Sequence, residues 1–367
     1  MNVKKIICVV GTRPEAIKMA PVIQALQKES WADVRVLATA QHRQMLDQVL
    51  DLFGITPDID LDIMRPNQSL PELTSRLLLQ LDEVLLREQP DAVLAQGDTT
   101  TVMTVALACF YRNIPLGHVE AGLRTGDLRN PFPEEMNRVF AGLLARWHFA
   151  PTESSRDNLL REHLPADRIF LTGNTVIDAL LDVADRCDHA APVVVPGRKL
   201  VLVTAHRREN FGQPFEAICR AVKELVLRNE DVEVLYPVHP NPNVKEIAYK
   251  MLGGLPRTTL CEPLDYLPFV AAMKSAYLIL SDSGGVQEEA PALAKPVLVL
   301  RRETERPEAV DAGVVKLVGA DYDGILSEAQ ILLRDKDAYA AMARGVSPYG
   351  DGHAAQRIVE TLRKHFI

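Results

Sequence analysis

The chain has 367 residues, of which 47% are hydrophobic and 25% are charged. This composition is typical of a soluble globular protein, and the length favours two domains over one. The formal net charge of −8 argues against a nucleic-acid backbone as a partner, although an anionic ligand can still bind where arginines and lysines converge. No apolar run approaches the roughly 20 residues that a membrane-spanning helix needs.

The N-terminal residues combine two lysines with a short apolar stretch, as a secretory signal does. However, the sequence GTRPE follows at once and no small-residue cleavage site appears, so a β-strand is the favoured interpretation. The scattered cysteines, odd in number, fit a reducing cytoplasm better than a disulfide framework or a zinc site. They are Cys8, Cys109, Cys187, Cys219 and Cys261. We therefore expect a cytoplasmic protein.

The first half of the chain alternates predicted strands with predicted helices. Apolar runs predict buried strands at 5–10, 34–39, 92–95, 114–119 and 146–150. Helical patterns lie near 14–28, 42–52, 70–88, 99–111 and 134–145. Such a βαβ series predicts a parallel sheet with right-handed crossovers.

The second half repeats this alternation. Strands are predicted at 199–204, 232–237, 276–281 and 296–300. Helices are predicted near 214–228, 243–252, 265–274, 285–293 and 322–333. We expect a first α/β domain at 1–172 with a C-terminal helix at about 353–367, a second at 195–350, and a helix and linker at 173–194.

Two glycine turns follow strands, one in each half, in GTRPEAIKMAP and SDSGGVQEEAP. A helix N-terminus with free backbone N–H groups binds anions, so the pair predicts a ligand with a diphosphate between the domains. Arg13 and Lys18 lie beside the first turn. Neither turn is a GxGxxG fingerprint or a P-loop, so neither NAD nor ATP is implied.

The second turn offers Ser283, Gly284 and Gly285 as hydroxyl and backbone donors to phosphate. Glu289, about one turn into the next helix, is placed to accept ribose hydroxyls, as acidic residues do in other nucleotide sites. The alternative for Glu289 is an exposed position on a helix surface.

Three acids follow strand ends or begin a helix in the first half. Asp98 comes after the strand at 92–95, Glu120 after the strand at 114–119, and Glu134 in the first turn of a helix. Each alone is readily structural, because acids cap helices and favour first turns. As a set on one cleft they would repel one another unless they serve as proton donors and acceptors, so the set favours catalysis.

Histidines and arginines follow strands in the second half. His206 and Arg207 lie in TAHRREN, and His239 lies in the loop after the next strand. A histidine between a strand end and arginines is a candidate phosphate contact or proton relay. The QHRQ segment at 41–44 is either an exposed helix start or part of the cleft lining.

These motifs together resemble the non-hydrolysing UDP-N-acetylglucosamine 2-epimerases of bacteria. The resemblance extends through nearly the whole chain, and no position that matters departs from it. The blocks that carry it are GTRPEAIKMAP, QGDTTT, HVEAGLRT, PFPEEMNR, TGNTVID, TAHRREN, SDSGGVQEEAP and RRETERPEA. It implies a glycosyltransferase-B-like fold of two Rossmann-like domains with parallel sheets and a cleft between them.

The resemblance also implies an activity and a set of site residues. The activity is reversible interconversion of UDP-GlcNAc and UDP-ManNAc for cell-surface polysaccharide, without NAD or a metal, in a homodimer. The implied catalytic group is Asp98, Glu120, Glu134 and His206. The residues implied to hold UDP are Arg13, Lys18, Ser283, Gly284, Gly285 and Glu289. A second, allosteric substrate site would use Gln41, His42, Gln44, Arg65, Arg207 and His239.

Elementary chemistry makes sense of this reaction. No carbonyl adjoins C2 of the sugar, so simple deprotonation there is implausible. Anti elimination of UDP gives 2-acetamidoglucal, and re-addition with the proton delivered to the other face inverts C2. The carboxyl side chains supply the general base and the general acid, and the cationic side chains stabilise the leaving diphosphate.

Three other functions stay open at this point. A UDP-sugar glycosyltransferase on the same fold would need an acceptor pocket and would not need three acids around C2. A hydrolysing epimerase would release free ManNAc after water intercepts the glucal. A regulator that binds a nucleotide sugar without chemistry would not need Asp98, Glu120, Glu134 and His206.

Overall fold

The computed structural model describes residues 3–39, 43–65, 68–304 and 306–367, with the backbone alone described at 43 and 44. The chain divides into two compact units. The first comprises Met1–Ala179 and Tyr349–Ile367, and the second comprises Leu180–Pro348. The boundary between the units, between Ala179 and Leu180, lies inside the helix Thr175–Arg186, which was predicted for the linking segment. One continuous helix therefore passes from the first unit to the second.

The first unit is built around a parallel sheet. Its strands are β1 (Lys4–Val10), β2 (Ala32–Ala38), β3 (Ile59–Asp60), β4 (Ala92–Gln96), β5 (Leu116–Val119), β6 (Trp147–Ala150) and β7 (Ile169–Leu171). Its helices are α1 (Arg13–Gln27), α2 (Arg43–Leu52), α3 (Leu70–Glu88), α4 (Thr100–Arg112), α5 (Glu134–Leu144), α6 (Glu153–Arg161) and the start of α7 (Thr175–Arg186). In the described part of this unit the strand order is β3-β2-β1-β4-β5-β6-β7.

The second unit repeats the arrangement. Its strands are β8 (Lys199–Thr204), β9 (Val232–Pro237), β10 (Thr258–Cys261), β11 (Leu278–Ser281), β12 (Val297–Val299) and β13 (Val315–Leu317). Its helices are α8 (Gln213–Arg228), α9 (Pro242–Leu252), α10 (Tyr266–Ser275), α11 (Gly284–Ala292), α12 (Pro307–Asp311), α13 (Tyr322–Arg334) and α14 (Lys336–Met342). The strand order is β10-β9-β8-β11-β12-β13.

Both sheets have the Rossmann-type order, in which the chain reverses its direction of progress after the third strand. The first strand of each sheet therefore has the fourth strand as a neighbour. Cys8 of β1 pairs with Leu94 of β4, and Val203 of β8 pairs with Leu280 of β11. The prediction of two Rossmann-like domains with parallel sheets is confirmed. Loops that leave β1 and β4, or β8 and β11, lie on either side of the switch point where such sheets bind ligands.

Apolar side chains from strands and helices form the core of each unit. In the first unit Leu77 and Val105, from α3 and α4, pack against Val93 of the sheet. In the second unit Val222 of α8 and Ala329 of α13 belong to the same cluster as the central strands. The cores fix where the strand ends lie, and the polar loops that follow those ends are held accordingly.

The chain ends with α15 (Ala354–Phe366), which returns to the first unit. Asp178 of α7 accepts hydrogen bonds from the backbone N–H groups of Ala354 and Ala355 at 3.2 and 2.8 Å, which satisfies the start of α15. At the other end Phe366 lies against Trp147, with ring centroids 5.9 Å apart.

Four strands lack a counterpart in the sequence-based prediction. They are β3, β7, β10 and β13, and they are the edges of the two sheets. Edge strands are short and partly exposed, so they carry no continuous apolar run to reveal them. Among the described residues, no helix is both long enough and apolar enough to cross a membrane.

Candidate active site

Glu120 stands directly after β5 and is the most heavily contacted of the predicted catalytic acids. Lys18 of α1 donates to both of its carboxylate oxygens at 2.7 Å. Asn174 donates to Oε1 at 3.2 Å, and Gln96 donates to Oε2. Glu120 also has φ of 64°, a left-handed conformation uncommon outside glycine. Since such strain persists only where the surroundings impose it, the contacts hold this carboxylate in one position.

Asp98 follows β4, on the strand next to Glu120. Arg138 of α5 donates to Asp98 Oδ2 at 2.5 Å, and Asn137 donates to the Asp98 backbone carbonyl at 2.9 Å. Desolvation raises the pKa of Asp98 although 29% of its side chain is exposed; Arg138 opposes that rise, and Glu120 adds to it.

Glu134 also acts on Asp98, because its charge further raises the pKa of the Asp98 carboxyl. The structure therefore brings the three predicted acids into one electrostatic neighbourhood. The next residue, Glu135, is buried and accepts hydrogen bonds from the backbone N–H groups of Thr125 and Gly126 at 2.9 and 3.0 Å. Glu134 and Glu135 thus have different surroundings, and Glu135 stabilises the loop that precedes α5.

The first glycine turn differs from its prediction. Glu15 accepts hydrogen bonds from the N–H groups of Gly11 at 2.8 Å and Thr12 at 2.6 Å, within a capping box closed by Thr12. The N–H groups of Gly11 and Thr12 are therefore not free for a phosphate. Glu15 belongs to the chain and occupies them.

Arg13 and Lys18, predicted beside that turn, have different partners. Arg13 is half-buried and forms no ion pair with any residue in the described ranges, so its guanidinium is left for an external anion. Lys18 is paired with Glu120 and is 15% exposed. The structure therefore places Lys18 among the acids.

The second glycine turn keeps its predicted character. Ser283 is the N-cap of α11 and makes no side-chain cap hydrogen bond, so the first N–H groups of the helix are left for another partner. A Cβ atom built on Gly284 would lie 3.5 Å from Arg306 and 3.7 Å from Arg207. Two guanidinium groups therefore flank this helix N-terminus, which by itself already favours an anion.

Glu289 lies one turn further along α11 and is 7% exposed. Tyr266 of α10 donates to Glu289 Oε1 at 2.9 Å. The exposed-surface alternative for Glu289 is thereby excluded. Its neighbour Glu288 accepts from Arg306 Nε at 2.7 Å, so here too adjacent carboxylates have separate partners.

His206 follows β8 and lies beside Asp282, which follows β11. Nδ1 of His206 is 3.4 Å from Asp282 Oδ1, and the ring stacks on His239 with centroids 5.4 Å apart. Burial lowers the pKa of His206; Asp282 opposes this shift, whereas His239 and Arg207 reinforce it.

The residues predicted for an allosteric site are only partly covered. Gln41 and His42 lie outside the described residues, as does the side chain of Gln44. Arg65 is exposed in the first unit. Arg207 and His239 both adjoin His206 in the second unit, so these two lie next to a predicted catalytic residue.

Sequence reasoning missed the residues that hold the acids and the histidine. They are Gln96, Arg138, Asn174, Tyr266 and Asp282. Four of them stand inside motifs already quoted, and three of those, Gln96, Arg138 and Asp282, lie within a few residues of a predicted site residue. For Gln96 and Asp282 the signal was a polar residue at or next to a strand end, where an apolar or turn residue is usual.

The comparisons with known proteins follow this geometry. A family model described as UDP-N-acetylglucosamine 2-epimerase matches residues 24–363. The UDP-N-acetylglucosamine 2-epimerase of Escherichia coli strain K12 is 54% identical over 373 residues, which cover 99% of each chain. A crystal structure of UDP-GlcNAc 2-epimerase from Neisseria meningitidis bound to UDP-GlcNAc has a TM-score of 0.89 at 50% identity, covering 98% of this chain and 100% of that one.

A more distant structure shares the fold alone. The glycotransferase of kitacinnamycin has a TM-score of 0.67 at 13% identity and covers 99% of this chain. The predicted glycosyltransferase-B-like class is confirmed by this likeness together with the two Rossmann-type sheets.

Proposed function

The chain belongs to the UDP-N-acetylglucosamine 2-epimerase family, and from this premise we propose that it interconverts UDP-GlcNAc and UDP-ManNAc. The observation that carries the proposal is that Glu120, Glu134, Lys18 and Arg138 all act electrostatically on Asp98. A site for proton transfer at carbon needs such acids, whereas a site for binding alone would avoid gathering like charges.

The reaction proceeds by elimination and re-addition. A carboxylate takes the proton from C2, the C2–H electron pair forms the C1–C2 double bond, and the C1–O bond to UDP breaks. The double bond then takes a proton at the opposite face of C2 while a UDP oxygen attacks C1. The oxidation level of the sugar is the same before and after, so the cycle consumes no redox cofactor.

The surroundings of the acids favour different roles for two of them. Glu120 is paired with the Lys18 ammonium at 2.7 Å, which fits an ionised proton acceptor. Asp98 is partly desolvated and lies near Glu120 and Glu134, which raises its pKa and fits a proton donor. In the reverse direction the two roles are exchanged. Glu134 completes the group as a further carboxylate near the developing positive charge.

Cations and backbone dipoles would stabilise the leaving diphosphate. Arg13 has no counter-charge among the described residues, His206 follows β8, and α11 presents open N–H groups at Gly284 and Gly285. Glu289, held by Tyr266, would accept the ribose hydroxyls.

Product analysis tests the proposal. The protein is incubated separately with UDP-GlcNAc and UDP-ManNAc, without an acceptor, and the nucleotide sugars are separated. We expect both incubations to reach the same ratio of the two sugars. Release of free ManNAc and UDP would favour a hydrolysing epimerase. An unchanged substrate that reacts only after an acceptor is added would favour a glycosyltransferase.

We further propose that the protein is a cytoplasmic homodimer with a second substrate site that includes Arg65, Arg207 and His239, along with Gln41, His42 and Gln44. Arg207 Nε is buried without a hydrogen-bond partner among the described residues, which fits a cation awaiting an anionic ligand. A sigmoidal dependence of rate on UDP-GlcNAc that becomes hyperbolic in His239→Ala would support that site. A hyperbolic wild-type curve in both directions would contradict it.

A further inference from the structure

Asp282 is a fully buried carboxylate at the switch point of the second sheet, between the loops that leave β8 and β11. It accepts hydrogen bonds from the backbone N–H groups of His206 at 2.9 Å and Arg207 at 2.8 Å. Asn210 donates to Oδ2 at 3.0 Å. A buried carboxylate persists only with such compensation, so its position is fixed before any ligand binds.

The imidazole of His206 faces this carboxylate with one nitrogen. Nδ1 is 3.4 Å from Asp282 Oδ1, while 37% of the side chain remains exposed. The other groups that act on the ring are positive or neutral: Arg207 on the same loop, and His239 stacked at 5.4 Å with the planes 10° apart. Asp282 is therefore the carboxylate that sets the orientation of the ring.

This arrangement favours one tautomer of His206 in the free protein. The carboxylate favours a proton on Nδ1, and burial lowers the pKa of the ring, so Nε2 carries a lone pair near neutral pH. A lone pair repels a phosphate oxygen. Moving the Nδ1 proton to Nε2 would turn a lone pair toward the Asp282 carboxylate, so Nε2 gains a proton from solvent before it donates a hydrogen bond to a diphosphate.

We propose that binding of a nucleoside diphosphate by the second unit is coupled to uptake of one proton at His206 Nε2, and that Asp282 is the positioning residue that orients the ring and balances the imidazolium. The inference rests on the proposed function, since it takes UDP as the ligand. The proton comes from solvent and remains on Nε2, where it is shared with a phosphate oxygen. No bond of the ligand is made or broken in this step.

The coupling has a definite sign. Bound diphosphate raises the pKa of His206 above its value in the free protein. Below the free pKa the ring is already charged, so binding takes up no proton. Between the free and bound pKa values the affinity for UDP falls as pH rises, by as much as about tenfold per pH unit.

Isothermal titration of the full-length protein with UDP measures this uptake directly. Titrations at about pH 7.5, in buffers of different ionisation enthalpy, give the number of protons taken up from the slope of the observed enthalpy. UDP has a titratable phosphate of its own, but its contribution is common to every variant. We expect wild type to take up about 0.5–1 proton more than His206→Gln, which cannot titrate.

His189→Gln is the matched control, because His189 is an exposed histidine of the second unit that belongs to neither proposed site. We expect this variant to retain the uptake. Equal uptake in wild type and His206→Gln would overturn the proposal, and loss of uptake in His239→Gln alone would assign the proton to His239. Wild type that does not bind UDP would contradict the proposed function, whereas binding without uptake would contradict only this inference.

The role of Asp282 is tested in the wild-type protein, because an Asp282 variant that failed to fold would give no information about the histidine. Nitrogen-15 NMR of the histidine rings, with His206 assigned by its absence in His206→Gln, distinguishes the two tautomers. We expect the Nδ1–H tautomer in the free protein and a doubly protonated ring with UDP. An Nε2–H tautomer in the free protein would refute positioning by Asp282.

Discussion

Glu120 and Asp98 stand at neighbouring strand ends, yet their contacts differ. Glu120 has an ammonium group at 2.7 Å and two amide donors, whereas Asp98 has a guanidinium at 2.5 Å and two carboxylates nearby. The first set of contacts stabilises the ionised form, and the carboxylates of the second favour the protonated form. One site can therefore hold an acceptor and a donor at the same pH.

Replacing Glu120 by glutamine tests the acceptor. Glu120→Gln keeps the shape of the side chain but cannot take a proton, so we expect turnover to fall about a hundredfold or more. UDP affinity should stay close to that of wild type in a binding titration. Glu135→Gln is the matched control, because Glu135 accepts only backbone N–H groups and arginine contacts. A wild-type rate in Glu120→Gln would remove Glu120 from the mechanism.

Arg138 should affect the pH dependence of the reaction rate through the pKa of Asp98. Because the guanidinium lowers the pKa of Asp98, Arg138→Met should raise that pKa further. The limb of the pH–rate profile that Asp98 governs should move to higher pH. Arg124→Met serves for comparison, since Arg124 is paired with Glu162 at 2.6 Å and does not act on Asp98. Identical profiles for the two variants would show that Asp98 does not govern either limb.

Asp98 and Glu120 could be singled out because each follows a strand end in the sequence, and Glu134 because it begins a helix. The residues that hold them could not, since their roles depend on which segments meet in space. Asn174 reaches Glu120 from 54 residues away, and Asp282 reaches Arg207 from 75 residues away. The residues next to Asn174 or Asp282 in the sequence do not indicate which distant residue each one contacts. An acid directly after an apolar run, in contrast, is recognisable from the sequence alone.

At the scale of single elements, Glu15 links the loops that leave β1 and β4. It accepts from Gly11 and Thr12 on the first loop, and Thr99 on the second donates to it at 2.6 Å. The side chain is 3% exposed. Substitution would leave buried donors without a partner, which costs more than the loss of an ordinary cap.

Two capping boxes in the first unit permit a direct comparison. Glu15→Ala should lower the free energy of unfolding by about 2–3 kcal/mol, whereas Glu72→Ala, in the exposed box of α3, should cost about 0.5–1 kcal/mol. Tryptophan fluorescence in urea follows the first unit, which contains both tryptophans of the chain. Equal losses would mean that Glu15 acts only as a helix cap.

Central strands and long helices could be predicted from their apolar patterns, but the sheet edges could not. Leu278–Ser281 is buried throughout, so its sequence is continuously apolar up to the final serine. Thr258–Cys261, at the edge of the same sheet, has no fully buried residue. An edge strand is specified by pairing with its neighbour, which a single segment does not encode.

For the whole molecule, each sheet has a buried carboxylate that joins the two loops at its switch point. Glu15 does so in the first unit from the helix after β1, and Asp282 does so in the second from the end of β11. In both units the carboxylate connects the loop after the first strand with the loop after the fourth, but it belongs to the first of these segments in one unit and to the second in the other. In the first unit the carboxylate occupies the N–H groups of Gly11 and Thr12, while the second unit keeps the first N–H groups of α11 open.

The C-terminal helix completes the first unit. Phe366 lies 6.2 Å from the Trp31 ring and 5.9 Å from the Trp147 ring. Phe366→Ala removes a half-buried ring, so we expect a loss of about 2 kcal/mol from the stability of this unit and a red-shifted emission. Phe110→Ala, at a position 59% exposed, should change neither. Unchanged emission in Phe366→Ala would mean that α15 is not docked in solution.

The most direct test of the account is proton NMR of the protein with UDP-GlcNAc alone in D2O. Elimination and re-addition exchange the C2 hydrogen, so UDP-ManNAc should appear with deuterium at C2, and Glu120→Gln should abolish both its formation and the exchange. UDP-ManNAc that retains hydrogen at C2 would contradict proton transfer by the acids. Free UDP without UDP-ManNAc would contradict epimerisation itself.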